Sequence, residues 1–218
     1  MELKGSKINF LGDSITEGHG VSAMEHIYWS VLGKSTGAIV RGYGVGGTRF
    51  ALRREPSTNP RFDLDFLMRA KEMDKDADAV VVFGGTNDFG HGDAPLGSFD
   101  DRTQNTFYGA CHVLFDYLIN AYPTSTIVIM TPLHRENEDN VHGDINKTEN
   151  LAPLSAYVKI IKEVAEYYSL PVLDMWAVSG IQPRVPLIKA KYCPDGLHPN
   201  DAGHALMAKR VEGFLRSL

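Results

Sequence analysis

Apolar residues along the chain gather into five short runs, each ending in glycine or polar residues, with longer amphipathic stretches between them. Lys7 to Gly12, Ala38 to Arg41, Ala79 to Phe83, Thr126 to Met130 and Pro171 to Asp174 read as strands. The third, Ala-Val-Val-Val-Phe, is apolar throughout, as expected of a strand covered on both faces. Between the strands, Ile27, Val31 and Leu32 predict a helix over 26–35, and another is predicted over 62–71. Cys111, Leu114, Phe115 and Leu118 mark one face of a helix over 104–121; Val158, Ile161, Ala165 and Tyr168 do so over 154–168. A last helix, about 202–217, takes Asn200 or Asp201 as its cap.

The remaining stretches read as connections. A polar, glycine-containing loop follows Ser14 to about Met24, the charged run 72–78 is a solvated turn, and 176–193 is irregular. Another loop leads from Asn87 through His91, Asp93 and Pro95. Residues 133–152 form a polar insert of a length usually found in functional lids or mobile segments.

Strands alternating with helices predict an α/β fold: a three-layer α/β/α sandwich around a central, mostly parallel five-stranded sheet. In such sheets ligands bind outside the carboxyl ends of the strands. Ser14, the glycine-rich segment Gly44 to Thr48 and Asn87 each follow a predicted strand, so they are expected to converge on that edge.

At 218 residues the chain is expected to form one domain, 1–218. Its 43% hydrophobic and 22% charged content is that of an ordinary globular protein, which sets aside disordered and fibrous classes. A net charge of −5 without a Lys/Arg stripe argues against nucleic acid as a partner. Two cysteines, Cys111 and Cys193, are too few for a disulfide framework or a cysteine-based zinc site. No run reaches membrane-spanning length, and the first strand starts too early to leave room for a signal peptide. A cytoplasmic location is expected, although a processed secreted form would read the same.

A serine delivered at a strand end is a candidate nucleophile. It needs a base, a group to orient that base and donors for the oxyanion. Asp195 and His198, three residues apart on one loop, supply a carboxylate and an imidazole that meet locally; His198 would accept the Ser14 proton and Asp195 would hold its tautomer. Hydrolysis is then expected to fall on the acid side, since only neutral histidine accepts a proton.

Four blocks carry a resemblance to the GDSL or SGNH hydrolase superfamily: Gly12-Asp13-Ser14-Ile15, Gly46-Gly47, Gly85-Thr86-Asn87-Asp88 and Asp195-Gly196-Leu197-His198-Pro199, in the family's order across almost the whole chain. The second block departs from the family in lacking an asparagine ahead of its glycines. The resemblance implies a flavodoxin-like sheet and an oxyanion hole made by the backbone N–H of Ser14, the N–H of one glycine among Gly44, Gly46 and Gly47, with Gly47 favoured by its place in the block, and the amide of Asn87. It also implies an esterase or lipase-like activity without metal or cofactor.

The expected function is therefore a serine ester hydrolase acting through an acyl-enzyme on a small-molecule ester, short-chain or carbohydrate-borne. Asp13, Phe89, His91, His134 and Arg135, near predicted strand ends, are expected to line the substrate pocket. An acyltransferase using the same three residues is the nearest alternative; a non-catalytic ligand- or dinucleotide-binding protein is the alternative from another class.

Three patterns point elsewhere. Gly42 to Gly47 satisfies G-x-G-x-x-G, but after the second strand, where the dinucleotide motif follows the first. Gly33-Lys34-Ser35-Thr36-Gly37 matches G-x-S-x-G after an apparent helix where a strand is required, and Tyr28 occupies the first glycine of a P-loop. His91/Asp93 and His142/Asp144 lack a third metal ligand at a recognisable spacing.

Overall fold

The computed structural model describes residues 1–218. Five strands, β1 (Lys7–Gly12), β2 (Ile39–Gly44), β3 (Ala79–Phe83), β4 (Thr126–Met130) and β5 (Val172–Leu173), form one sheet in the order β2-β1-β3-β4-β5. Every neighbouring pair is parallel. Register places Gly12 opposite both Gly44 and Phe83. The loops carrying Ser14, Gly47 and Asn87 therefore leave the sheet at one level.

Alternation along the central strands divides the core in two. Ile8, Phe10, Val81, Phe83, Val128 and Met130 point into a layer shared with Tyr28 and Leu32 of α2 (Tyr28–Thr36) and with Met207, Val211 and Leu215 of α9 (Asp201–Ser217). Leu11, Val80, Val82, Ile127 and Ile129 point the other way. They meet α3 (Phe66–Lys71), α5 (Phe107–Ala121) and α6 (Leu154–Tyr167). Period-two side-chain direction in a strand buried on both faces produces this split, and the expected sandwich is what it builds.

Several local expectations change. The segment after Ser14 begins as one helical turn, α1 (Ser14–Glu17), because Asp13 caps it by accepting the Ile15 N–H at 3.1 Å. The presumed loop at Asn87 is another short helix, α4 (Thr86–His91). The helix expected over 62–71 is a 3-10 turn, Pro60–Asp63, followed by α3, which Asp65 caps. The helix expected from Gln104 starts at Phe107, where the Thr106 side chain accepts from Gly109. The stretch 176–193 contains α8 (Pro186–Tyr192), opened by a proline at its first position, and overlaps α7 (Met175–Val178). Asn200, not Asp201, caps α9.

The insert 133–152 contains no helix or strand and is fastened by ion pairs along its length. Arg135 holds Asp144, Arg184 holds Asp139, Lys189 holds Glu136 and Arg54 holds Glu149, at 2.5–3.1 Å. No helix of the chain is long and apolar enough to cross a membrane.

Candidate active site

Ser14 opens α1 directly beyond β1, held there by a close approach that only glycine permits. A Cβ on Gly44 would lie 2.2 Å from the Glu17 nitrogen, so β2 and α1 pack backbone to backbone. Ser14 is nearly buried, and its Oγ lies 3.0 Å from His198 Nε2. His198 Nδ1 lies 2.8 Å from Asp195 Oδ2. The other oxygen of Asp195 accepts the N–H groups of Leu197 (2.8 Å) and His198 (2.7 Å), so the turn that carries the pair is closed by the same carboxylate. Burial alone would raise the Asp195 carboxyl, but those two N–H groups and the imidazole outweigh it and hold it below the usual range.

Asn87 lies in the first turn of α4. Its amide donates to the Thr48 carbonyl at 2.9 Å, which leaves the second amide hydrogen for another acceptor. Gly47 takes φ +77°, a left-handed conformation natural to glycine, and its N–H donates to no group of the chain. Ser14, Gly47, Asn87, Asp195 and His198 thus come together at the carboxyl edge of the sheet, from four separate chain segments.

Two buried arginines brace this edge. Arg69, on the buried face of α3 beside Phe66 and Ala70, donates to the carbonyls of Gly12 (2.9 Å), Tyr43 (2.6 Å) and Leu64 (3.1 Å) and to Thr48 Oγ1 (2.8 Å). It ties the serine strand, β2 and the glycine loop to one guanidinium, whose loss of hydration brings its pKa down to about 10. Arg49 donates to the Gly47 and Phe62 carbonyls. Glu17 accepts the Gly46 N–H at 2.6 Å and pairs with Arg61. Neither arginine emerged from the sequence. For Arg69 a signal existed, a cation on an apolar helical stripe; for Arg49, in an irregular segment, there was none.

The five residues expected to line a pocket are placed differently from one another. Phe89 is fully buried, against Tyr157 and beneath the Arg135 guanidinium, so its ring belongs to the core and reaches no ligand. Arg135 is nearly buried, spent on Thr86 and Asp144. Asp13 is buried as the cap of α1, and burial pushes its carboxyl up to about 7. With His134 and Arg135 it borders a cavity of about 10 Å³, room for a single water. His134 is one-fifth exposed, pairs with Glu138 and lies against Trp176 with the two rings tilted by 37°. His91 is half-buried beside Arg49.

The competing patterns find no support in local geometry. No helix follows the Gly42–Gly47 loop to present its N-terminus to a pyrophosphate; the next element is the 3-10 turn at Pro60. Ser35 lies inside α2 with its hydroxyl on the Leu32 carbonyl. Asp93 accepts from the Arg54 backbone, Asp144 pairs with Arg135, and no three His, Cys, Asp or Glu side chains converge as a metal site.

The family model of the GDSL-like lipase/acylhydrolase family matches residues 10–206. No curated protein matches the chain. Among solved structures, one is 33% identical, with all of this chain and 99% of that one covered and a TM-score of 0.85. A protein from Lactobacillus plantarum is 28% identical over 99% of this chain and 98% of its own, with a TM-score of 0.83. A lipase/acylhydrolase from Enterococcus faecalis, at 18% identity over 97% and 96% of the two chains and a TM-score of 0.63, is alike in fold.

Proposed function

The chain belongs to the GDSL-like lipase/acylhydrolase family, and from that premise we propose that it is a serine ester hydrolase working through an acyl-enzyme on small carboxylic esters. One observation carries the reading: Ser14 Oγ, His198 and Asp195 form an unbroken line of contacts at 3.0 and 2.8 Å. With Nδ1–H donated to Asp195, the Nε2 lone pair faces the serine hydroxyl.

Ser14 Oγ attacks the ester carbonyl as its proton passes to His198 Nε2. The developing oxyanion receives hydrogen bonds from the N–H groups of Ser14 and Gly47 and from the free amide hydrogen of Asn87. Fixed donors of this kind are each worth about 2.7–4 kcal/mol in the transition state. His198 then returns the proton to the departing alkoxide, and the alcohol leaves. Water, deprotonated by the same imidazole, attacks the acyl-enzyme; the bond from the acyl carbon to Ser14 Oγ breaks, the acid leaves and His198 returns the proton to Ser14 Oγ. Asp195 stays ionised throughout, which its three hydrogen bonds favour.

A serine-directed fluorophosphonate followed by mass mapping of the adduct tests this reading. The label is expected on Ser14, absent in Ser14→Ala and slowed in His198→Ala; an adduct on any other residue overturns the assignment.

A further inference from the structure

His91 has no part in the proton transfers above, yet a buried arginine fixes its ring at Nδ1. It lies four residues after Asn87 on α4, so the two side chains share one helical face about 5–6 Å apart at Cβ. Arg49 Nη1 stands 3.2 Å from His91 Nδ1 and 3.2 Å from the Gly47 carbonyl. The other end of the same guanidinium donates to the Phe62 carbonyl at 2.9 Å. Phe62 in turn lays its ring where a Cβ on Gly47 would be, 2.5 Å from the nearest ring carbon, and 6.5 Å from the imidazole of His91. His91 and Phe62 therefore form a wall against the two oxyanion donors Gly47 and Asn87.

The tautomer of this wall histidine is dictated by its neighbour. Arginine has only donors, so the Nδ1 that faces Arg49 must accept, and the ring proton must sit on Nε2. Nε2 has no partner within the chain and is not sealed from solvent. Burial first, then the positive charge of Arg49, pushes the imidazole down to about 4, so it stays a neutral donor at physiological pH. The other charges that act on it are Arg53, Arg135 and Asp144, and only Asp144 favours its protonation.

His198 approaches Ser14 from the loop before α9 and must reach the leaving oxygen, which places the alcohol on its side. His91, four residues beyond Asn87 and bridged by Arg49 to the Gly47 carbonyl, lies beside the oxyanion donors with its Nε2 open to solvent. Resting on the ester-hydrolase reading, we propose that His91 is a specificity-determining residue: its Nε2–H reads an uncharged oxygen acceptor in a short acyl group, and Arg49 is the positioning residue that fixes the tautomer. The preferred acids are then short hydroxy-, alkoxy- or oxo-acids, in place of plain alkanoic acids of equal length.

The test uses two isosteric esters, p-nitrophenyl methoxyacetate and p-nitrophenyl butyrate, which differ by an ether oxygen in place of a methylene. The readout is the ratio of their kcat/KM values in the full chain. His91→Leu is expected to lower that ratio about tenfold, the worth of one neutral hydrogen bond, and His91→Gln, which keeps an N–H donor, to recover part of it. The wild-type ratio stays flat from pH 5.5 to 8.5, while Arg49→Met, which removes the donor that fixes the tautomer, lowers the ratio toward that of His91→Leu. A ratio unchanged in His91→Leu, with both esters still turned over, overturns the role of His91 and leaves the hydrolase reading standing. If the wild type cleaves neither ester and Ser14 takes no fluorophosphonate, the hydrolase reading fails and takes this proposal with it.

Discussion

Two histidine–carboxylate pairs lie near the carboxyl edge of the sheet, each with a 2.8 Å contact at Nδ1, and they are built in opposite ways. His198–Asp195 has its carboxylate side chain 54% exposed, on a turn closed by its own hydrogen bonds. His134–Glu138 buries its carboxylate to 5% exposure, where Glu138 also accepts the Arg135 N–H at 3.0 Å. The difference that decides their chemistry lies at the second nitrogen. Nε2 of His198 meets a hydroxyl 3.0 Å away, whereas no such hydroxyl meets His134, whose ring is packed 3.8 Å from that of Trp176. A shared motif distance therefore says little about function; what the far side of the ring touches says more.

The largest effects come from swapping the fates of the two pairs. His198→Ala is expected to cut ester turnover by at least about 10⁴-fold, as loss of a general base does in this class of mechanism, with little change in thermal stability. His134→Ala is expected to do the reverse, destabilising the fold by about 1–2 kcal/mol because the buried Glu138 loses one of its donors while the Arg135 N–H and Arg184 remain. Assaying turnover and melting temperature for both variants breaks the comparison if either one moves the other's observable. Asp195→Asn should lower kcat by about 10³–10⁴-fold through the wrong imidazole tautomer, with folding intact.

A smaller effect separates support from chemistry. Arg69→Met leaves the carbonyls of Gly12 and Tyr43 and the Thr48 hydroxyl without their donor. We expect a loss of about 2–3 kcal/mol of stability together with a fall in kcat of about tenfold, a few tenths of an ångström of slack between serine and glycine loop being enough. Rates from stopped-flow acylation, compared with urea midpoints, distinguish the two.

Two buried groups of opposite sign leave turnover aside and set how stability varies with pH. Burial pushes His204 down to about 4 from 6.5, so the unfolded chain takes up a proton the fold refuses. Stability is expected to fall as pH drops from 6.5 to 4, by up to about 1.4 kcal/mol per pH unit for one proton, and His204→Gln should flatten that slope. Asp13, raised to about 7 from 3.8, works the other way: the fold keeps a proton the unfolded chain has lost, so stability declines as pH rises from 4 to 7. Asp13→Asn, which retains a capping side chain, should remove that decline in denaturant titrations.

How much of this could be read in the sequence follows from the range of each interaction. The strands were legible because Val80, Val81 and Val82 are apolar whichever face they take, and the Asp195–His198 pair because three residues span it. The short helices α4, α7 and α8 were not, since four to seven residues give too few turns for a periodic signal and Thr86-Asn87-Asp88 has the composition of a turn. Nearness to a strand end points Phe89 at the pocket, but residues two apart on a helix face different sides, and its ring lies in the core. Arg69 and Arg49 act through carbonyls up to 57 positions away; the apolar stripe around Arg69 marks it as buried without naming its task, and nothing local marks Arg49 at all.

The insert 133–152 carries one further implication. Leu133 and Ala152 anchor its ends in the two core layers, but the stretch between them is fastened by charge, and most of those ion pairs have at least one exposed member. Surface pairs weaken as the screening length shrinks, from about 10 Å in dilute buffer to about 3 Å in molar salt. Brine should thus leave the sheet untouched and offer this stretch to a protease first, so that ionic strength alone chooses where the molecule is cut.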